Sequence, residues 1–97
     1  MKFHQYFVYL LKCSDNTFYT GVTNDVYRRF LEHQNGENSS SYTYKRRPVQ
    51  LVYFEAFSNI NSAIEKEKQI KKWSKAKKEA LINEKFELLP ELSKKKF

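Results

Sequence analysis

The sequence predicts an α+β domain, a three-stranded antiparallel sheet flanked by about three helices in the order ββαβαα. Three observations predict it. Runs rich in β-branched and aromatic residues stand at 6–12, 17–22 and 49–57, and segments with helical signals follow the second and third. Only a short turn cluster separates the first two runs, so they pair as an antiparallel hairpin. No internal repeat is visible, and a small sheet with helices packed on it buries every apolar stripe at once.

Tyr6 to Lys12 (YFVYLLK) is almost continuously apolar, as a strand covered on both faces must be. Ser14, Asp15 and Asn16 form the turn, and Thr17 to Val22 (TFYTGV) the second strand. Thr23 and Asn24 are N-cap candidates for a helix over 25–34, whose apolar positions are Val26, Tyr27, Phe30 and Leu31. Residues 35–41 (NGENSSS) read as loop, and 42–48 (YTYKRRP) mix aromatics with a basic cluster. Val49 to Phe57 is the third strand. Ile60 to Ser74 reads as a helix with Ser62 and Glu65 as a capping box at its opening. A third helix over 75–83 should turn Ala76, Ala80 and Leu81 inward. The domain is expected over 1–83, with a basic tail over 84–97.

Composition narrows the function. Hydrophobic residues make up 40% of the 97-residue chain, enough for a core and too many for general disorder. Lysine and arginine total 18 against 11 acids, a net charge of +7, which favours a polyanionic partner such as nucleic acid. No apolar run approaches the roughly 18 residues that cross a membrane, and no signal-peptide pattern opens the chain. A cytoplasmic protein is expected. Cys13 is the one cysteine, so no internal disulfide forms and no disulfide-linked partner is expected.

Glu67 carries the sharpest signal. The second helix has its apolar stripe at Ile60, Ala63, Ile64 and Ile70, and at about 100° per residue Glu67 falls in the middle of it. A carboxylate there must be paired, protonated or bound to a metal. Arg29 and His33 are spaced i, i+4 on the first helix, at the edge where it meets the sheet. Tyr9 and Tyr19 lie on the paired strands. Alone, each tyrosine fits a core position and Arg29 a solvated one. Together these five residues suit phosphodiester hydrolysis. Glu67 would hold the cation, Arg29 would grip the scissile phosphate, and a tyrosine or His33 would take the proton of the attacking water. Lys45, Arg46 and Arg47 beside Tyr42 and Tyr44 fit either a backbone-binding loop or a solvated one. Lys68, Lys71 and Lys72 can reach phosphate from the second helix. Trp73 reads as a core anchor.

These residues together resemble the GIY-YIG nuclease superfamily, in its short single-domain bacterial branch, related to the catalytic domain of the nicking subunit of excision repair. Phe7-Val8-Tyr9 is similar to the first signature triplet and Tyr19-Thr20-Gly21 to the second. The helix pattern N-x-x-x-R-R-[LF]-x-x-H runs from Asn24 through Arg28, Arg29 and Phe30 to His33. Arg46-Arg47-Pro48-Val49, Leu51-Val52-Tyr53 and the run Glu67 to Trp73 extend it, so that the resemblance covers about residues 4–83. Phe7 replaces the first glycine, and Val22 stands where other branches place a lysine. The resemblance implies one divalent metal, Mg²⁺ or Mn²⁺, on Glu67, with Arg29 at the phosphate and Tyr9, Tyr19 and His33 in or around general-base chemistry. It implies an endonuclease acting on DNA, with RNA left open, in repair or processing, and directed by substrate structure because no separate reader domain is recognised. A non-catalytic nucleic-acid-binding module on the same scaffold is the alternative reading, and a basic protein-binding module a third. The sequence leaves the oligomeric state undetermined.

Overall fold

The structure, a computed structural model, describes residues 5–88, with side chains described as far as Asn83. Strands β1 (Tyr6–Lys12), β2 (Phe18–Thr23) and β3 (Gln50–Phe57) form one antiparallel sheet in the order β2-β1-β3. Helices α1 (Val26–Gln34), α2 (Ile60–Lys71) and α3 (Lys75–Leu88) complete the ββαβαα order, and a short 3₁₀ turn occupies Tyr44–Arg46. The basic tail expected over 84–97 begins inside α3, and residues 89–97 lie outside the described part. Among the described residues no helix is long and apolar enough to cross a membrane.

β1 is central, so both its faces are covered, which is why it reads as a continuous apolar run. Val8 and Leu10 face α2 and α3, packing with Tyr53, Ala63, Ile70 and Ile82. Tyr9, Leu11 and Cys13 face the other way, toward Val49, Tyr19 and Phe30. The hairpin register sets Tyr9 opposite Gly21 and Leu11 opposite Tyr19, which puts both tyrosines on the α1 face. Against β3 the register slips between Leu10 and Leu11, leaving Val52 as the extra residue of a bulge. The hairpin turn closes as expected. The Asp15 carboxylate accepts from the Thr17 amide (3.2 Å) and hydroxyl (2.6 Å), and Asn16 takes a left-handed φ of 68°.

Helices α2 and α3 start where expected, at Ile60 and Lys75, and α1 one residue later, at Val26, but the caps differ. Asp25, rather than Thr23 or Asn24, caps α1 by accepting from the Arg28 amide (3.1 Å). Asn59 caps α2, accepting from Asn61 (2.7 Å) and Ser62 (3.3 Å), so Ser62 and Glu65 lie one turn inside that helix and form no capping box. At each start the cap is the Asx residue in extended backbone directly before the first helical residue, the place from which its oxygen reaches the free amides.

The buried stripes differ more. In α1, Tyr27 is 69% exposed and Leu31 also faces solvent, and His33 is the buried residue. The sheet-facing stripe is Val26, Arg29, Phe30 and His33, because the imidazole finds hydrogen-bond partners there that an apolar side chain cannot use. In α3, Ala76 and Ala80 are exposed, Leu81 is half-buried and Ile82 is buried. This helix docks through its larger aliphatic side chains, since burying Ile82 removes more apolar area from water than burying an alanine. Trp73, half-buried at the α2–α3 junction, packs on the core with the ammonium groups of Lys77 and Lys66 over its ring at 4.4 and 5.8 Å.

Candidate active site

Tyr9 is the centre of the polar cluster on the α1 face. It is 2% exposed, and its hydroxyl lies 3.0 Å from His33 Nε2. Burial pushes its pKa up to about 12, although the Arg29 guanidinium, which lies against the same hydroxyl, opposes that rise. The ring lies across Gly21. A Cβ there would stand 2.5 Å from Tyr9 Oη and 2.6 Å from Cζ, so glycine is needed for close approach and not for a turn. Gly21→Ala should push Tyr9 off His33 and cost about 1–3 kcal/mol of stability, the usual range for overpacking. Urea unfolding, read beside loss of the Tyr9–His33 contact, checks this. An unchanged midpoint would show that the ring moves freely.

His33 is bonded on both sides. Nε2 meets Tyr9, and Nδ1 lies 2.7 Å from Thr43 Oγ1, which in turn lies 3.0 Å from Ser41 Oγ. Burial lowers its pKa, the Arg29 charge lowers it further, and Glu32 partly offsets both. Tyr9, Tyr19, Arg29, Glu32 and Thr43 are the groups that face it. The unfolded chain therefore binds more protons than the fold in the window below about pH 6.5. The melting temperature should fall as pH is lowered from 7 to 5.5, and His33→Gln should flatten that slope. Equal slopes in the two proteins would contradict the buried neutral imidazole.

Tyr19 stands between the buried pair and the surface. Its ring centroid is 4.9 Å from that of His33, 6.2 Å from Tyr9, and stacked at 6.2 Å on Tyr42. Arg29 is held by Glu32 at 2.8 Å, which with the neighbouring phenols raises the guanidinium pKa. Arg28 points outward to Asn24 (3.1 Å) and Glu32 (3.9 Å). The structure thus brings Tyr9, Tyr19, Arg29 and His33 together on the α1 face. Glu32, Ser41 and Thr43 were not foreseen. Glu32 is legible as an i, i+3 partner of Arg29. Ser41 and Thr43 come from a loop with no local signal that it folds back onto α1.

Glu67 belongs to the helix covering the opposite face. Its side chain is 13% exposed and pairs with Lys71 at 2.7 Å, so the partly buried carboxylate has the cationic partner that its position demands. The ion pair raises the Lys71 pKa, and Tyr19 adds to that rise, which places Lys71 within electrostatic reach of the Tyr19 edge. Among the described residues no group of three His, Cys, Asp or Glu side chains could enclose a metal. One carboxylate still fits a Mg²⁺-type ion, which keeps several waters and takes one or two carboxylates plus substrate oxygens. Lys71, 56% exposed, has room to leave Glu67. The donor set is compatible with one hard cation held by Glu67.

The basic loop is more ordered than a solvated one. Arg46 donates to Asp15 (3.1 Å) and to the Tyr42 carbonyl (2.7 Å) with its guanidinium 3.8 Å over the Tyr42 ring. Arg47 donates to the Tyr44 carbonyl (2.9 Å), lies over the Tyr44 ring and fills the space beside Gly36. Both staple the loop. Lys45, Lys68 and Lys72 are exposed.

The GIY-YIG catalytic domain sequence model matches residues 5–80. The chain is 44% identical over 78 residues to a UPF0213 protein of Syntrophus aciditrophicus, covering 80% of this chain and 90% of that one. It is 46% identical over 79 residues to one of Haloquadratum walsbyi, covering 81% and 88%. Among solved structures it is similar to the UPF0213 protein of Bacillus halodurans (39% identity, TM-score 0.53) and to an E. faecalis protein (32%, TM-score 0.57). Each covers 81% of this chain and 83% of the other. With the two tyrosines, the R-R-F-x-x-H helix and the ββαβαα fold all in register, the chain belongs to the GIY-YIG catalytic domain family.

Proposed function

We propose that this protein is a metal-dependent endonuclease that hydrolyses DNA phosphodiester bonds, choosing its substrate by structure and acting in DNA repair or processing. The observation that carries the reading is one buried hydroxyl, Tyr9 Oη, set between an imidazole and a guanidinium in a family of catalytic domains. A divalent ion on Glu67 would supply Lewis-acid stabilisation of the charge that builds on the phosphate and leaving oxygens.

The remaining chemistry falls to the chain. With its pKa near 12, Tyr9 is ionised in only about one molecule in 10⁵ at pH 7, too few for a resting tyrosinate base. His33 is neutral at that pH and is the better base. Tyr9 works as the relay. The attacking water gives its proton to Tyr9 Oη as Tyr9 gives its own to His33 Nε2, so no tyrosinate accumulates. The water oxygen bonds to phosphorus, and the bond to the leaving oxygen breaks. Arg29 keeps donors free beyond Glu32 and points them at the oxygens where charge grows.

The non-catalytic binding module remains the rival because the Glu67–Lys71 pair satisfies the carboxylate without any metal. Incubation with labelled branched, single-stranded and duplex DNA, with and without Mg²⁺ or Mn²⁺, separates the two. Cutting that requires metal supports the nuclease. Binding without cutting supports the module.

Binding itself should be salt-sensitive and nearly indifferent to sequence. Each phosphate contact contributes about 0.9 to the slope of log affinity against log salt on duplex DNA. Lys45→Ala should lower that slope by about one contact, as should Lys72→Ala. Arg46→Ala and Arg47→Ala should act mainly by loosening the loop, because both side chains are already engaged. A steep sequence preference that survives high salt would point instead to a dedicated reading surface.

A further inference from the structure

We infer that Thr43, supported by Ser41, is a positioning residue that fixes His33 in the tautomer bearing its proton on Nδ1, so that Nε2 stays bare and faces the Tyr9 hydroxyl. The inference rests on the nuclease reading for its catalytic meaning and on hydrogen-bond geometry for its structural one.

Two arrangements satisfy the Tyr9–His33–Thr43–Ser41 chain. In one, Tyr9 donates to Nε2, Nδ1–H donates to Thr43 Oγ1, and the Thr43 hydroxyl donates to Ser41 Oγ. In the other, every donor is reversed, Nε2–H points at Tyr9, and the imidazole has no lone pair left for a proton from that side. The Tyr9 hydroxyl decides between them. Tyr9 is 2% exposed, and among the described residues His33 Nε2, at 3.0 Å, is the one hydrogen-bond partner of its oxygen. In the reverse arrangement the phenolic proton would be buried with nothing to accept it, which costs far more than the bond it makes as the donor to Nε2.

The His33 proton is therefore on Nδ1, and it needs an acceptor. Thr43 Oγ1 is that acceptor at 2.7 Å, and Thr43 is 1% exposed. Ser41 completes the arrangement. Its oxygen lies 3.0 Å from Thr43 Oγ1 and takes the Thr43 hydroxyl proton, and it also accepts the Thr43 amide at 3.3 Å. Its own hydroxyl borders a polar cavity of about 170 Å³ lined by Arg29, Glu32, His33 and the 36–44 loop, where water can accept from it. The logic matches that of the third member of a nucleophile–histidine triad, which sets the tautomer and never touches substrate.

The test reads the tautomer directly. In ¹⁵N-labelled protein at pH 7.5, long-range ¹H–¹⁵N correlation of the His33 ring should show a protonated Nδ1 and a bare Nε2. Thr43→Val keeps the shape and removes the hydroxyl, and it should shift His33 toward the Nε2–H form. Thr43→Ser should restore the original pattern. Ser41→Ala, which leaves the Thr43 hydroxyl in place, should give a partial shift and serves if the valine variant folds poorly. In cleavage assays Thr43→Val should lower kcat about 10-fold or more with KM unchanged, the signature of impaired base catalysis. A protonated Nε2 in the unmutated protein, or a tautomer indifferent to Thr43→Val, overturns the inference. If the tautomer shifts as stated and no DNA is cut by any variant or by the parent, Thr43 is confirmed as the positioning group and the nuclease reading falls.

Discussion

Glu67→Gln is expected to abolish metal-dependent cleavage while leaving DNA binding nearly intact. The substitution keeps the size of a side chain that is 13% exposed, so packing under α2 is preserved. It removes the negative charge that a hard cation requires, and a neutral amide oxygen is a poor replacement. The fold should barely notice. Lys71 loses its partner, but it is 56% exposed and returns to water, and ion pairs at that exposure are worth about 0–1 kcal/mol. The Lys71→Gln variant separates a metal ligand from a structural salt bridge. It breaks the same ion pair yet keeps the carboxylate, so it should retain turnover and lose at most one phosphate contact. Parental turnover by the Glu67→Gln variant at saturating Mg²⁺ would end the assignment, and so would equal loss in both variants. Metal affinity, followed by Mn²⁺ binding to the uncut protein–DNA complex, should fall only for the glutamine at position 67.

What could be read from the sequence depended on how local its cause was. β1 was legible to the residue because a central strand buried on both faces reads as an unbroken apolar run, here Tyr6 to Leu11, which Lys12 closes before the Ser14–Asn16 turn. The hairpin was legible because Asp15 and Asn16 make the turn by themselves. The caps at Asp25 and Asn59 were missed by one to three residues, since several Thr, Asn and Ser side chains compete there and only backbone geometry chooses among them. The rotation of α1 was missed for a different reason. Hydropathy places Tyr27 and Leu31 inward, whereas His33 wins the buried position through bonds to Tyr9 and to a loop residue ten positions later. Glu67 was legible as an anomaly, a charge on an apolar stripe, but its partner Lys71 could equally have been a solvated lysine. The motif order carried the family, and no local rule could have supplied Thr43.

Arg29→Ala should lower the cleavage rate by roughly 10²-fold or more, the cost of removing one strong donor aimed at transition-state charge. The loss should fall on kcat, because the charge that Arg29 meets is largest in the transition state. Arg28→Ala is the control. It sits about 100° around the helix, and its contacts are with Asn24 and Glu32 on the outer side. Its removal should cost little. Arg29→Ala does not strand Glu32, which keeps Arg28 as a partner 3.9 Å away. The fold therefore survives well enough for the rate to be read. Arg29→Lys should fall between, since an ammonium restores charge but not the planar fork. A second readout distinguishes a phosphate ligand from a general basic residue. Arg29 helps to hold the His33 pKa down, so its loss should move the acid limb of the pH–rate profile upward toward the ordinary histidine value. Arg28→Ala should leave that limb in place. Equal losses at positions 28 and 29, with an unmoved profile in both, would reduce the role of Arg29 to net charge on the helix.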